Sequence, residues 1–133
     1  MQEFLNGIAK SWQGYGMAFL SGAKNTLLIS LVGTLIGCLI GFAVGAVQTI
    51  PTSKGDPLWK KILLGAANAI LKVYVELFRG TPMIVQSMFI YYGAKMLFNI
   101  HMDPLFAGFL IVSINTGAYM AETVRGGILS IDP

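Results

Sequence analysis

The chain has 133 residues, of which 55% are hydrophobic and 11% charged, with a net charge of +3 and a mean hydropathy of +0.69. Soluble domains carry roughly a quarter charged residues, so this inventory cannot cover a water-facing surface and points to an integral membrane protein. The basic residues are scattered and form no stripe, which argues against nucleic acid as a partner. The single cysteine, Cys38, excludes an intrachain disulfide and a cysteine metal cluster.

The first 24 residues hold Glu3 near their start and no cationic cluster ahead of an apolar core, which is not the layout of a cleavable signal peptide. Trp12 and Tyr15 suit a membrane–water boundary. Residues 1–24 are therefore read as an interfacial arm, and 25–133 as a transmembrane domain. No charge occurs from Asn25 to Ile50, and Pro51 follows; about 25 helical residues cover roughly 37 Å, enough to cross a bilayer core of ~30 Å. Within this span Gly33, Gly37, Gly41 and Gly45 recur at every fourth position. They predict a ridge that lets another helix backbone approach closely, because helices in lipid associate by van der Waals contact.

The segment PTSKGDPLWKK, Pro51 to Lys61, combines prolines, a glycine and three lysines and predicts a loop. Its charge suggests the cytoplasmic side, which would put the amino terminus outside. On that topology Lys54, Lys60, Lys61, Lys72, Arg79 and Arg125 lie inside, against Lys10, Lys24 and Lys95 outside.

Lys61, Asn68, Lys72, Glu76 and Arg79 follow helical spacing and predict one polar stripe on an otherwise apolar helix, lying at the interface or lining a wet cavity. Glu76 and Arg79 are spaced to pair. Gly80 is expected to end this helix, with Thr81 as N-cap and Pro82 as first residue of the next. From Pro82 to Phe98 that helix covers roughly 25 Å, short for a span unless Asn99 and Ile100 extend it. Asp103-Pro104 repeats the start signal for a third span, which carries no charge before Glu122 and brings Ser113, Asn115 and Thr116 to membrane depth. Glu122 and Arg125 are again three apart, and Gly126-Gly127 is expected to break the helix. A further start signal at Asp132-Pro133 suggests that more chain follows.

The fold class expected is all-α, an integral membrane bundle of about three transmembrane helices plus an amphipathic interfacial helix. The sequence has no G-x-x-x-x-G-K-[ST] loop, no H-E-x-x-H and no nucleophile elbow. ATP would have to be handled by another chain, and no cofactor or metal is expected. His101, the single histidine, falls in an outer loop.

The segments YVELFRGTPMIVQSMFIYYG (74–93) and AYMAETVRGGILSIDP (118–133), preceded by FLSGAKNTLLIS, resemble the permease subunits of ABC importers for polar amino acids, the histidine/glutamine/glutamate/arginine/opine class. That resemblance implies half of a membrane-domain dimer with about five spanning helices. It also implies an ATPase subunit on the cytoplasmic face, an external solute-binding protein, a second permease copy or related permease, and residence in the bacterial cytoplasmic membrane. Family members continue beyond the position of Pro133 with a Gly-Gln-x-Glu-Ala-Ala segment that docks on the ATPase, so this chain corresponds to an amino-terminal portion. The alternative is a small membrane scaffold that moves no solute; a membrane enzyme is less consistent, since Glu76 and Glu122 do not assemble an acid, base or nucleophile set. For an importer, Gln86, Ser113 and Asn115 are the residues expected to face the solute pathway, being polar groups in apolar spans.

Overall fold

The computed structural model describes residues 1–53 and 55–131; the Asp132-Pro133 start signal and Lys54 lie outside them. The described residues form four helices: α1 (Gln2–Gln48), α2 (Leu58–Gly80), α3 (Met83–Phe98) and α4 (Pro104–Leu129). Two of them, α1 and α4, are long and apolar enough to cross a membrane. With 16 residues α3 reaches only about 24 Å.

The glycine ridge of α1 is its contact with α4. Gly33 lies against Val112, Gly37 against Thr116, Gly41 against Met120 and Gly45 against Val124. The offset is constant at 79 (112 less 33, 124 less 45), so the two helices run parallel and in register. An added Cβ on Gly37 would come within 2.9 Å of the Ser113 carbonyl, and one on Gly41 within 2.7 Å of the Gly117 carbonyl. The facing surface of α4 is equally reduced: Ser113, Gly117 and Ala121 are buried and four residues apart. Small residues therefore fill the interior, while Leu35, Leu39, Phe42, Met96 and Phe98 point outward and stay exposed. That inside-out distribution is what a lipid solvent selects, since lipid supplies the apolar surroundings and close backbone contact supplies the association.

Parallel α1 and α4 require the chain between them to return across the bundle, and α2 and α3 together make that return. The Tyr74 hydroxyl of α2 donates to the Ile114 carbonyl at 2.6 Å. From there α3 runs back along α4, with Tyr91 and Tyr92 facing Pro104 and Ala107 across a shallow cleft. The second predicted span is thus a helix pair, short α3 completed by the end of α2.

Local chemistry explains most boundaries. The Thr49 hydroxyl donates to the Ala46 carbonyl at 2.8 Å as α1 ends. The predicted loop closes sooner than expected: Pro57 sits at the N-cap position, and Leu58 to Lys61 already belong to α2. In the turn before it, the Asp56 carboxylate accepts the Ser53 N–H at 3.0 Å and pairs with Lys60 at 3.1 Å. These contacts, the Ser53 N–H first, hold its pKa below the ordinary carboxylate value. Asn99 ends α3 in the left-handed conformation (φ 53°), so neither it nor Ile100 extends the helix. Asp103 caps α4 as expected, accepting the N–H groups of Leu105 and Phe106 at 3.0 and 3.2 Å. Gly126-Gly127 does not break α4, which continues to Leu129. Glycine costs a helix only about 1 kcal/mol relative to alanine, and without a proline the hydrogen-bond ladder carries on.

The interfacial arm and the first span are one helix; α1 passes through position 24 without interruption.

Candidate functional site

Two polar constellations interrupt the apolar bundle. The first is the break between α2 and α3. The seam register puts Asn115 level with Ile36 (115 less 79), so this irregular backbone lies midway along the paired stretch of α1 and α4. Irregular backbone inside a membrane bundle must find its hydrogen-bond partners within the protein. Gln86, buried on the first turns of α3, supplies what is missing: its Nε2 donates to the carbonyls of Phe78 and Thr81, each at 2.9 Å, and to the Thr81 hydroxyl at 2.8 Å. Its Oε1 accepts from Asn115 Nδ2 at 3.0 Å, and the same Asn115 amide reaches the Phe78 carbonyl at 3.2 Å. One glutamine and one asparagine thereby tie α2, α3 and α4 together.

Thr81 is not the N-cap of α3. Its hydroxyl donates back to the Leu77 carbonyl at 2.8 Å and so closes α2; Pro82 takes the N-cap position, and the first helical residue is Met83. Gly80 is the last residue of α2, with open space around its Cα. Ser113, the third predicted pathway residue, is buried beside Gly33 and Gly37 on the α1 seam. The structure brings Gln86 and Asn115 together and sets Ser113 apart from them.

The second constellation is a cavity of about 420 Å³ between the carboxyl end of α1, the polar face of α2 and the last turns of α4. Asn68, Lys72, Glu76 and Arg79 of the predicted stripe line it, with Gln48, Val75, Glu122 and Arg125. The expected Glu76–Arg79 pair is not formed. Glu76 turns to Lys72 at 3.7 Å, and Arg79 reaches across to Glu122 on α4 at 3.7 Å, its guanidinium 5.7 Å from the Tyr119 ring centre. Helical spacing shows which side chains share a face, but a partner on a second helix outcompetes the neighbour when it holds its carboxylate at the cavity wall. The Glu122–Arg125 pair forms as expected and is bidentate, Nη2 to Oε1 at 2.6 Å and Nε to Oε2 at 3.2 Å. Glu122 thus carries two arginines. A double-mutant cycle with Arg79→Gln and Glu122→Gln should show a coupling of about 0.2–1 kcal/mol, the range for half-exposed pairs, whereas Glu76→Gln with Arg79→Gln should show none. Stability in mixed micelles is the readout; coupling in the second cycle and not the first would reverse the assignment.

Two acceptors in this cavity have no partner: Gln48 Oε1 and Asn68 Oδ1 are buried without a hydrogen bond. Gln48 and Tyr119 carry no signal in the sequence: Gln48 closes a span marked only by its lack of charge, and the approach of Tyr119 to Arg79 depends on how α2 and α4 pack. Among the described residues no cluster of histidine, cysteine or carboxylate groups could hold a metal. His101 lies exposed in the turn between α3 and α4, and Cys38 is a half-buried free thiol on α1.

Fold and site together define a helical membrane protein with polar contacts inside its bundle. No family model matches the sequence. The chain is 41% identical over 113 residues to the glutamine transport system permease protein GlnP of Escherichia coli, covering 84% of this chain and 46% of that protein. It is 38% identical over 63 residues to the arginine transport system permease protein ArtQ of Bacillus subtilis, covering 47% and 29%. A crystal structure of an amino acid ABC transporter with histidines superposes with a TM-score of 0.72 at 31% identity, over 92% of this chain and 51% of that one. The chain spans about half the length of the curated relatives it matches. Over most of its length it is similar to the amino-terminal half of permease subunits of amino acid ABC transporters.

Proposed function

We propose that this chain forms part of the membrane pathway of an importer for a polar amino acid, in the bacterial cytoplasmic membrane, with its amino terminus outside. ATP would be hydrolysed by a separate subunit on the cytoplasmic face, an external binding protein would deliver the solute, and a second permease copy would complete the membrane domain. The observation that supports the reading is the helix break held midway along the α1–α4 pair by Gln86 and Asn115, with a polar cavity beside it. Interrupted helices at the midplane are where transporters bind and pass polar solutes. In this reading Gln86 and Asn115 shape the pathway wall and Ser113 keeps α4 seated on α1. Gln48 and Asn68 give the inward exit polar walls, and Arg79 and Arg125 face the solute's carboxylate.

The test uses the complete gene product that carries this segment, co-expressed with its ATPase and reconstituted into proteoliposomes. Expected results are co-purification of the ATPase and ATP-dependent uptake of labelled glutamine, arginine or histidine in the presence of the binding protein. Asn115→Leu should slow uptake about tenfold, the equivalent of one or two lost hydrogen bonds, while the complex still assembles. Failure to recruit an ATPase would favour the scaffold reading. Unchanged uptake in Asn115→Leu would remove that residue from the pathway.

A further inference from the structure

The first half of α1 is the largest surface that the permease reading leaves without a role. The seam register puts Pro104, where α4 begins, level with Asn25 (104 less 79), so residues 2–24 overhang the bundle. The paired stretch 25–48 already covers about 36 Å, enough for a crossing. The overhang, roughly 34 Å of helix, therefore starts at the membrane boundary. All of it is exposed except Gly16.

Its sequence is two-sided. At 100° per residue Phe4, Ile8, Trp12, Tyr15 and Phe19 fall within one arc of about 80°, while Glu3, Asn6, Lys10, Gln13 and Lys24 fill a similar arc on the opposite side. Each of the five apolar residues is more than half exposed. Met17 and Leu20 depart from the pattern near the root, where the helix enters the membrane. Projecting into water, the apolar arc would expose five large side chains, each worth about 1.5–3 kcal/mol on burial.

We propose that residues 2–21 form an amphipathic helix lying in the plane of the lipid headgroups, with Phe4, Ile8, Trp12, Tyr15 and Phe19 toward the acyl chains. Three observations select lipid as the occupant. The arm is rooted where the α1–α4 pair begins; Trp12 and Tyr15 lie within the apolar arc, the residue types that favour the membrane boundary; and the polar arc carries Lys10, with Lys24 just past the turn, both suited to anionic headgroups. α1 is unbroken through Gly22, and lying in the headgroup plane requires it to bend; Gly22 is where a bend costs least, since glycine weakens a helix and no neighbouring side chain packs there.

The experiment places single spin labels through Ile8→Cys, Lys10→Cys, Trp12→Cys, Gln13→Cys and Tyr15→Cys, in a Cys38→Ser background of the intact protein. The carrier is vesicles of phosphatidylethanolamine and phosphatidylglycerol. Collision with oxygen, concentrated in the acyl region, should peak at positions 8, 12 and 15, and collision with an aqueous nickel chelate at 10 and 13, in antiphase. Three results would overturn the proposal. Uniform nickel access would mean an arm in water, shielding of 8 and 12 from both reagents would mean docking on protein, and a mature amino terminus beyond residue 24 would mean that the arm is removed.

Discussion

Gly41→Ala should lower the unfolding midpoint of the protein in mixed micelles by the equivalent of about 1–3 kcal/mol, the usual cost of overpacking, and Gly41→Leu should prevent folding. The added Cβ would run into Met120 Cβ and lie 2.7 Å from the Gly117 carbonyl and 2.8 Å from the Ala121 amide nitrogen. Two of those three neighbours are backbone, which cannot rotate away, so relief requires α1 and α4 to separate. Separation forfeits the contact on which the pair depends, because lipid gives no hydrophobic drive to bring the helices back. Gly33→Ala should cost less, since its nearest neighbours at 2.7 and 2.9 Å belong to the Val112 side chain and the nearest backbone atom stands at 3.7 Å. Gly65→Ala on α2, with nothing within 4 Å, should leave the midpoint level or raise it. Equal midpoints for Gly41→Ala and Gly65→Ala would show that the parallel seam does not hold the bundle together.

The features that were legible in the sequence are those set within one helix. Glycines four apart lie on one ridge whatever the partner, Asp103-Pro104 caps a helix through its own side chain, and Glu122 meets Arg125 one turn on. Features set between helices were not. The pairing of Arg79 with Glu122 needs the position of α4, and spacing along α2 offered Glu76 instead. The matching ridge on α4, Ser113, Gly117 and Ala121, was readable at the same four-residue period, but its mixture of residue types hid it inside an apolar run. The helix break was correctly placed at Gly80-Thr81-Pro82, yet Thr81 was assigned to the wrong helix, because a threonine hydroxyl can close the turn behind it as readily as cap the one ahead. The pathway expectation for Gln86, Ser113 and Asn115 drew on polarity alone, which does not tell a lining group from a bracket.

That distinction can be settled at Gln86. Gln86→Leu keeps the size of a buried side chain but removes the donors to the Phe78 and Thr81 carbonyls and the acceptor for Asn115. A buried group left unpaired costs about 1–3 kcal/mol, and inside a membrane bundle a new partner must come from the protein. The variant should therefore lose stability and, in hydrogen exchange, lose protection at residues 83–88, where α3 hangs from the tie. Gln86→Glu separates donors from packing: in a dry site facing two carbonyl oxygens a carboxyl stays protonated, so it matches the shape, keeps one O–H donor in place of two N–H donors and can still accept from Asn115, and it should be less damaging than leucine. If both variants kept wild-type protection at 83–88 and only uptake fell, Gln86 would be a group that meets solute. If protection and uptake fell together, with Asn115→Leu sparing protection, then the glutamine is the bracket of the broken helix and the asparagine its solute-facing partner.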